Sequence, residues 1–299
     1  MGWKTVVIGA ESVVSLTYNR MKITLGSDFQ NIPLNDIDTV IFSHDKVSIT
    51  IPLLSELIKN NINVVVCDSK NDPIGVFQAF NGHSLVFKQL KKQIEWKLTR
   101  RKKLWKKIIQ HKIISEYSLL EELGLELSIQ QQLKYYAGTV QSDDISNREA
   151  ASARLYFNAL FGNGFKRDAP LPINFALNYG YKIIASYISK CITSRGLLTQ
   201  LGIHHIGESN PFNLTYDFIE PLRVIIDRWV YENISETFVV SQKVEIIKLL
   251  QSKIFINDKW YRLTDAIEDI IDSYIAFLNE SSDQIISIDY KKGIQYAEG

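Results

Sequence analysis

The spacing of apolar residues changes once along this chain, at Asn81-Gly82-His83, and this change constrains the fold most. Before it, short β-branched runs separated by polar or glycine-containing turns predict strands. After it, apolar residues recur at helical spacing almost to the end of the chain. We therefore expect an α+β protein, with a small β-sandwich-like N-terminal domain over 1–82 and a larger all-α domain over 83–299.

The individual elements follow from the same patterns. The predicted strands are Lys4–Ile8, Val13–Tyr18, Lys22–Leu25, Ile37–Phe42, Asn63–Cys67 and Ile74–Phe80. An amphipathic helix from Pro52 to Asn60 interrupts them and is expected to act as a crossover between strands. The helices predicted for the second domain are Ser84–Ile109, Ile114–Leu123, Ile129–Ala137, Ser146–Phe161, Ile173–Leu201, Asp217–Asn233, Gln242–Gln251 and Ala266–Asn279.

Composition excludes several classes of protein. The chain has 299 residues, of which 45% are hydrophobic and 22% charged, so it is globular rather than disordered. No stretch approaches about 18 uninterrupted apolar residues, so no membrane-spanning helix is expected. The run before Glu11 is too short for a signal peptide, and the two cysteines predict neither a disulfide framework nor a zinc site. We expect a cytoplasmic protein with no membrane partner.

Positive charge is concentrated in one segment. Eleven Lys or Arg residues lie between Lys88 and Lys112 against one acid, Glu95, so this segment carries +10 in a chain of net charge +1. A solvated helix usually carries both signs, because stabilising i,i+4 pairs need both. A phosphate backbone attracts such a cationic track through counterion release. Nucleic-acid binding is therefore favoured over a merely solvated helix. The candidate residues are Lys91, Lys92, Arg100, Arg101, Lys103 and Lys107.

The segment Ser146-Asn147-Arg148-Glu149 opens a predicted helix. A serine followed three residues later by a glutamate is typical of a capping box, in which Ser146 caps the helix and Glu149 reaches back to it. This interpretation explains the segment without any function. The small residues that follow, at 150, 151 and 153, also leave space for another backbone or a substrate to approach closely.

A second group of polar residues lies between positions 204 and 220. His204 and His205 fall in a predicted loop, and Asp217 and Glu220 share one face of a predicted helix. One imidazole with two or three carboxylates suits manganese or magnesium. Other interpretations stay open, since adjacent loop histidines are often surface residues, Asp217 could favour a helix N-terminus, and Arg223 could simply pair with Glu220.

Three sequence blocks, taken together in their order along the chain, resemble one known family. They are Asn147–Phe157, Pro172–Tyr181 and Leu214–Arg223, with His205 before the last. Together they resemble the CRISPR-associated integrase, the first and most widespread of the CRISPR-associated proteins, and the resemblance covers essentially the whole chain. Many relatives have Asp where this chain has Glu220, and this variant is similar to the forms that accompany the type II effector nuclease.

The resemblance implies a chemistry and a set of site residues. It implies that Glu149, His205 and Glu220 bind a divalent metal, magnesium or manganese, with Asp217 either a further ligand or a residue beside the ligands. The implied reaction is a transesterification, in which the 3′-hydroxyl of a protospacer strand attacks a phosphodiester at the CRISPR repeat. Water in place of that hydroxyl gives endonuclease cleavage.

Partners follow from the same resemblance. It implies binding of double-stranded DNA, homodimers formed through the β domain, and a heterohexamer-like complex with a small second CRISPR-associated protein, joined in a type II system by other adaptation proteins. Further phosphate contacts are expected near the site from Arg148, Lys166, Arg167 and Arg223. A non-catalytic DNA-binding scaffold is the main alternative. An RNA-processing nuclease ranks last, because no RNA-binding module is recognisable.

Overall fold

The computed structural model describes residues 2–77, 84–256 and 258–296. These fall into two compact units, one formed by 1–87 with 190–197 and the other by 88–189 with 198–299. The predicted boundary at 82/83 lies outside the described residues and stays a prediction. Within the described ranges, no helix is long and apolar enough to cross a membrane.

The first unit contains two four-stranded sheets, which confirms the predicted β-sandwich-like region. Strand order is β1-β5-β7-β8 in one sheet and β4-β3-β2-β6 in the other. The strands are β1 Lys4–Ile8, β2 Ser12–Thr17, β3 Arg20–Leu25, β4 Asp28–Pro33, β5 Ile37–Phe42, β6 Val47–Ile49, β7 Asn63–Cys67 and β8 Pro73–Phe77. The predicted extension of the last strand to Phe80 lies outside the described residues.

The predicted crossover helix is confirmed. Strands β5 and β7 pair in parallel, and a parallel pair needs a connection that returns across the sheet. Helix α1, Ile51–Lys59, lies in this connection and buries Leu53 and Leu57 in a core shared with Val14 and Val40. All six residues of β5 are buried, as in strands covered on both faces.

The sequence pattern does not predict β4 or β6. In β4 the first four residues, Asp28–Asn31, are exposed, so no alternation of apolar and polar residues marks the strand. Pairing with β3 forms it. Both strands lie at the two edges of their sheet, where local propensity is weakest and neighbouring strands decide the structure.

Helices dominate the rest of the chain, as predicted. They are α2 Val86–Ile94, α3 Leu98–Glu122, α4 Leu127–Thr139, α5 Arg148–Phe161, α6 Pro172–Ser194, α7 Asn213–Ile219, α8 Arg223–Asn233, α9 Val240–Lys248 and α10 Leu263–Leu278. The expectation that this region is all-α is wrong in one place. A small sheet of order β10-β9-β11 is present, with strands β9 Lys253–Ile256, β10 Lys259–Arg262 and β11 Ile294–Gln295.

The predicted boundaries around the basic helix are wrong. The helix expected over Ser84–Ile109 stops at Ile94, because the buried Trp96 turns inward and its Nε1 donates to Asn279 Oδ1 at 3.0 Å. Helix α3 then runs for 25 residues from Leu98 without the break expected after Ile109. Its N-terminal half carries most of the basic residues, and its middle is buried.

Two further helix ends are set by local chemistry. The single helix expected over Asp217–Asn233 is divided into α7, a 3-10 turn at Glu220–Leu222, and α8. Pro221 lies in that turn, and a proline removes a helical N–H donor. The helix expected to reach Leu201 ends at Ser194, because Gly196 adopts a positive φ of 74°.

Candidate metal centre

Glu149 lies in the first turn of α5, where an aspartate fixes the backbone. Asp144 Oδ1 accepts the N–H of Arg148 and its Oδ2 accepts the N–H of Glu149, both at 2.9 Å. Asn147 precedes the helix with a φ of 50°. The predicted capping box between Ser146 and Glu149 is therefore wrong. The Asp144 carboxylate caps the helix instead, which leaves the Glu149 side chain available to the site.

Asp217, fully buried in α7, holds the loop that carries both histidines. Its Oδ2 accepts the backbone N–H of Ile203 at 2.6 Å and of His204 at 3.2 Å, and its Oδ1 accepts the N–H of His205 at 3.0 Å. His205 Nδ1 lies 2.8 Å from the same Oδ1. This hydrogen bond raises the pKa of His205 above its ordinary value, although burial opposes the shift. With Nδ1 engaged, Nε2 is the nitrogen left to bind a ligand.

Gly202 allows this loop to close on Asp217. A Cβ atom at position 202 would lie 2.7 Å from Asp217 Oδ2 and would also collide with the carbonyl oxygen of His205. Any other residue would therefore push the His205 backbone away from the carboxylate. The sequence pattern marks Gly202 only as the end of a helix, so its close approach to Asp217 was not predicted.

Glu220 and Glu149 share one cation. The Lys112 ammonium of α3 lies 2.9 Å from Glu149 Oε1 and 2.7 Å from Glu220 Oε2, and its side chain is only 9% exposed. Arg223 also binds Glu220, through Nε at 3.1 Å and Nη2 at 2.9 Å, so the pairing considered for Arg223 is confirmed. Burial alone would raise the pKa of Glu220, but Arg223 and Lys112 together lower it.

Lys112 was not singled out by the sequence, although a signal for it exists. Trp105, Ile108 and Ile109 form a buried stripe of α3, and Lys112 and Glu116 continue it at spacings of three or four residues. A charged residue on the buried stripe of a helix needs a partner. Lys112 is therefore buried, whereas the other basic residues of α3 are exposed or partly exposed.

His204 has a separate partner. Its ring stacks on Trp105 with centroids 4.2 Å apart, and its Nδ1 lies 3.2 Å from Asp143 Oδ1. Lys102 pairs with the other oxygen of Asp143 at 3.1 Å. The two adjacent histidines are thus held by different carboxylates, and His205 is the one joined to Asp217.

The chemistry of these donors fits a divalent ion. Two carboxylates and one imidazole nitrogen are a suitable ligand set for manganese or magnesium, and Glu149 and Glu220 already lie on either side of one positive charge. Both glutamates also raise the pKa of His205. In the part of the chain that the structure describes, no three His, Cys, Asp or Glu side chains are close enough together to enclose a metal. The ammonium of Lys112 instead contacts both glutamates.

A cavity of about 210 Å³ adjoins the two glutamates and contains further buried acids. Burial raises the pKa of Glu116 to about 8, although Lys112 opposes the shift. Burial also raises the pKa of Asp227 to about 6, and Asp227 accepts hydrogen bonds from the hydroxyls of Tyr156, at 3.0 Å, and Tyr181. Neither acid was predicted from the sequence, although Glu116 lies on the same buried stripe of α3 as Lys112.

The candidate DNA-binding residues divide into exposed and anchored groups. Exposed members are Lys91, Lys92, Lys103 and Lys166, and Lys107 is partly exposed. Arg100 is anchored, with donation to Phe277 O at 2.9 Å, Ser282 O at 3.1 Å and Asp283 Oδ1 at 2.6 Å. Arg101 donates to the carbonyl oxygen of Gly202 at 3.0 Å. Arg167 donates to the side-chain oxygens of Asn174 and Asn178. Arg148 lies over the ring of Tyr136.

Comparison with known proteins identifies the family. A family model described as CRISPR associated protein Cas1 matches residues 5–248. The CRISPR-associated endonuclease Cas1 of Neisseria meningitidis serogroup C (strain 8013) is 32% identical over 287 residues, which cover 94% of either chain.

Two solved structures share the fold. A casposase bound to integration product matches with a TM-score of 0.74 and 20% identity, over 98% of this chain and 94% of that chain. A chain of a Cas6-RT-Cas1–Cas2 complex matches with a TM-score of 0.71 and 15% identity, over 96% of this chain and 36% of that chain. The resemblance found in the sequence is confirmed, and this chain belongs to the Cas1 family of CRISPR-associated proteins.

Proposed function

We propose that this protein is a metal-dependent DNA integrase and endonuclease that inserts protospacer DNA into a CRISPR array. The observation that carries the proposal is the pair of carboxylates, Glu149 and Glu220, which share one cation while Asp217 fixes the imidazole of His205. Membership of a family with a named endonuclease, and a fold shared with a casposase, support nuclease and integrase chemistry.

Glu149, Glu220 and His205 Nε2 would hold a magnesium or manganese ion. When bound, the ion supplies Lewis acidity to the phosphoryl oxygen, the attacking hydroxyl and the leaving oxygen. Asp217 contributes as a positioning residue, because both of its oxygens are engaged by the 203–205 loop and by His205 Nδ1. Asp144 holds the backbone of Glu149 in the same way.

The reaction exchanges one phosphodiester for another. The protospacer 3′-oxygen forms a bond to phosphorus and loses its proton to solvent, while the bond from phosphorus to the repeat 3′-oxygen breaks and that oxygen takes up a proton. Since one ester replaces another, no nucleotide hydrolysis is required. Water as the attacking group would instead cut the strand.

Partners are part of the proposal. The matching chain of the Cas6-RT-Cas1–Cas2 complex supports assembly with a second CRISPR-associated protein. The heterohexamer-like stoichiometry stays a prediction. Homodimers formed through the N-terminal β domain, and association with other type II adaptation proteins, stay predictions. DNA contacts are expected from exposed cations, led by Lys103 and Lys166.

A joining assay tests the reaction. Purified protein with its small partner is mixed with a short duplex bearing free 3′-hydroxyls and a supercoiled plasmid that carries a repeat. We expect covalent joining with manganese or magnesium, none with chelator, and a loss of about 100-fold or more in Glu149→Ala. Glu245→Ala, an exposed glutamate of α9, is the matched control. Salt-sensitive DNA binding without joining in the wild type would instead support a non-catalytic scaffold.

DNA binding is tested by a pair of basic residues on α3. Lys103→Ala removes an exposed cation, so we expect weaker DNA affinity and a decrease of about 1 in the slope of log affinity against log salt. Arg100→Ala removes an anchored guanidinium, so we expect a lower unfolding temperature and an unchanged salt slope. Fluorescence anisotropy at several salt concentrations measures the slopes, and equal slopes in Lys103→Ala and the wild type would contradict a contact at position 103.

A further inference from the structure

Lys112 is the buried counter-charge of the two glutamates. Its ammonium lies between Glu149 and Glu220 at salt-bridge distance from each. Arg223 also pairs with Glu220, so each glutamate has a cationic partner at salt-bridge distance. The negative charge of both carboxylates is therefore compensated in the protein alone.

A divalent ion held by the same two carboxylates would lie close to the Lys112 ammonium. Glu220 Oε2 is 2.7 Å from the Lys112 nitrogen, and Glu149 Oε1 is 2.9 Å from it. An ammonium and a divalent ion bound to the same two carboxylates would repel each other strongly, because screening is weak where Glu220 is 3% and Lys112 9% exposed. This repulsion favours movement of the ammonium when the ion binds.

The structure offers a destination for that ammonium. Glu116 lies one turn further along α3, on the same buried stripe. Among the residues that the structure describes, its Oε2 is buried and has no hydrogen-bond partner. Burial raises the pKa of this carboxyl to about 8, so it holds a proton in the metal-free protein and would release that proton to solvent as the ammonium approaches. Glu116 also lines the cavity that contains Lys112, Glu149 and Glu220, so the Lys112 side chain has space in which to swing.

We propose that Lys112 is an internal cation that holds Glu149 and Glu220 together in the metal-free protein and moves towards Glu116 when a divalent ion binds. Lys112 is thus a positioning residue that sets the affinity of the site for metal. This inference rests on the proposed metal-dependent function, because it assumes that the two glutamates are ligands.

Manganese affinity is the direct test. In Lys112→Met the ion displaces no cation, so calorimetric titration of the full-length protein with Mn²⁺ is expected to show roughly tenfold tighter binding than in the wild type. In chelator the same variant is expected to unfold at a lower temperature, since the two glutamates lose their shared partner, and Mn²⁺ is expected to restore more stability than in the wild type. Lys106→Met removes one positive charge from the same helix and pairs with neither glutamate, so it is the control.

The outcomes separate this inference from the function on which it rests. If Lys112→Met folds but binds Mn²⁺ no more tightly than the wild type, the proposed role of Lys112 is overturned. The proposed metal site itself still stands in that case, provided that Mn²⁺ binding by the wild type depends on Glu149. Wild-type protein without Glu149-dependent Mn²⁺ binding overturns both. If Lys112→Met does not fold, Glu116→Gln decides: Mn²⁺ binding several-fold weaker supports the movement of the ammonium, and unchanged binding overturns it.

Discussion

Asp217→Ala is expected to lose both stability and DNA joining, with one of the largest effects of any single substitution in this protein. Three backbone N–H groups and the ring of His205 lose their acceptor when the carboxylate is removed. Each buried donor left without a partner costs about 1–3 kcal/mol. We therefore expect several kcal/mol less stability and, because His205 loses its orientation, a decrease of about 10–100-fold in metal affinity or joining.

Comparing Asp217→Asn with Asp217→Ala separates the loss of stability from the loss of metal affinity. Asp217→Asn keeps one acceptor oxygen, so it is expected to fold more stably than Asp217→Ala while still misorienting His205. Denaturant unfolding measures the free energy of unfolding, and titration with Mn²⁺ measures the site. Asp168→Ala, an exposed aspartate, is the control. Wild-type stability in Asp217→Ala would contradict the hydrogen bonds that we describe for the loop.

Glu116→Gln is expected to change how the stability of the protein depends on pH. Burial raises the pKa of Glu116 from its ordinary value to about 8, so the folded protein retains a proton that the unfolded chain releases near pH 4.5. Stability from this group is therefore complete below about pH 4.5 and is lost as pH rises towards 8, at up to about 1.4 kcal/mol per pH unit. Glutamine carries no such proton and removes this dependence.

The difference in unfolding free energy between the wild type and Glu116→Gln isolates the contribution of Glu116 to the pH dependence. Asp227 and His205 also titrate, but they are present in both. Urea unfolding at pH 5, 6, 7 and 8 is expected to show Glu116→Gln gaining stability relative to the wild type at each step. Glu245→Gln, on the exposed face of α9, is expected to show no such trend. A constant difference between pH 5 and 8 would show that Glu116 is ionised in the folded protein.

Local pattern predicted much of the fold, and the errors have physical causes. Strands such as β1 and β7 are β-branched runs, and helices such as α1 have apolar residues at helical spacing, so the sequence identifies them. The break at Trp96 depends on a contact with Asn279, more than 180 residues later, and no local pattern contains that information. Strand β4 is likewise formed by pairing with β3 rather than by its own exposed residues.

The candidate site, like the fold, was predicted from the sequence only in part. Resemblance of three ordered blocks to a known family pointed to Glu149, His205 and Glu220, and these roles stay predictions that the joining assay tests. Sequence left open whether Asp217 is a ligand, and the four hydrogen bonds it accepts favour a positioning role. Arg100 looked like its basic neighbours, yet its contacts are internal.

By itself, the sequence determined that this is a two-part α+β chain of the Cas1 family, because apolar spacing and ordered motifs are properties of consecutive residues. Only the tertiary structure decided which charges are buried together. Lys112 comes from the middle of α3, Glu149 from the start of α5 and Glu220 from the turn after α7. The strength of an ion pair depends on the dielectric surroundings of both partners. Those surroundings exist only once distant segments have packed.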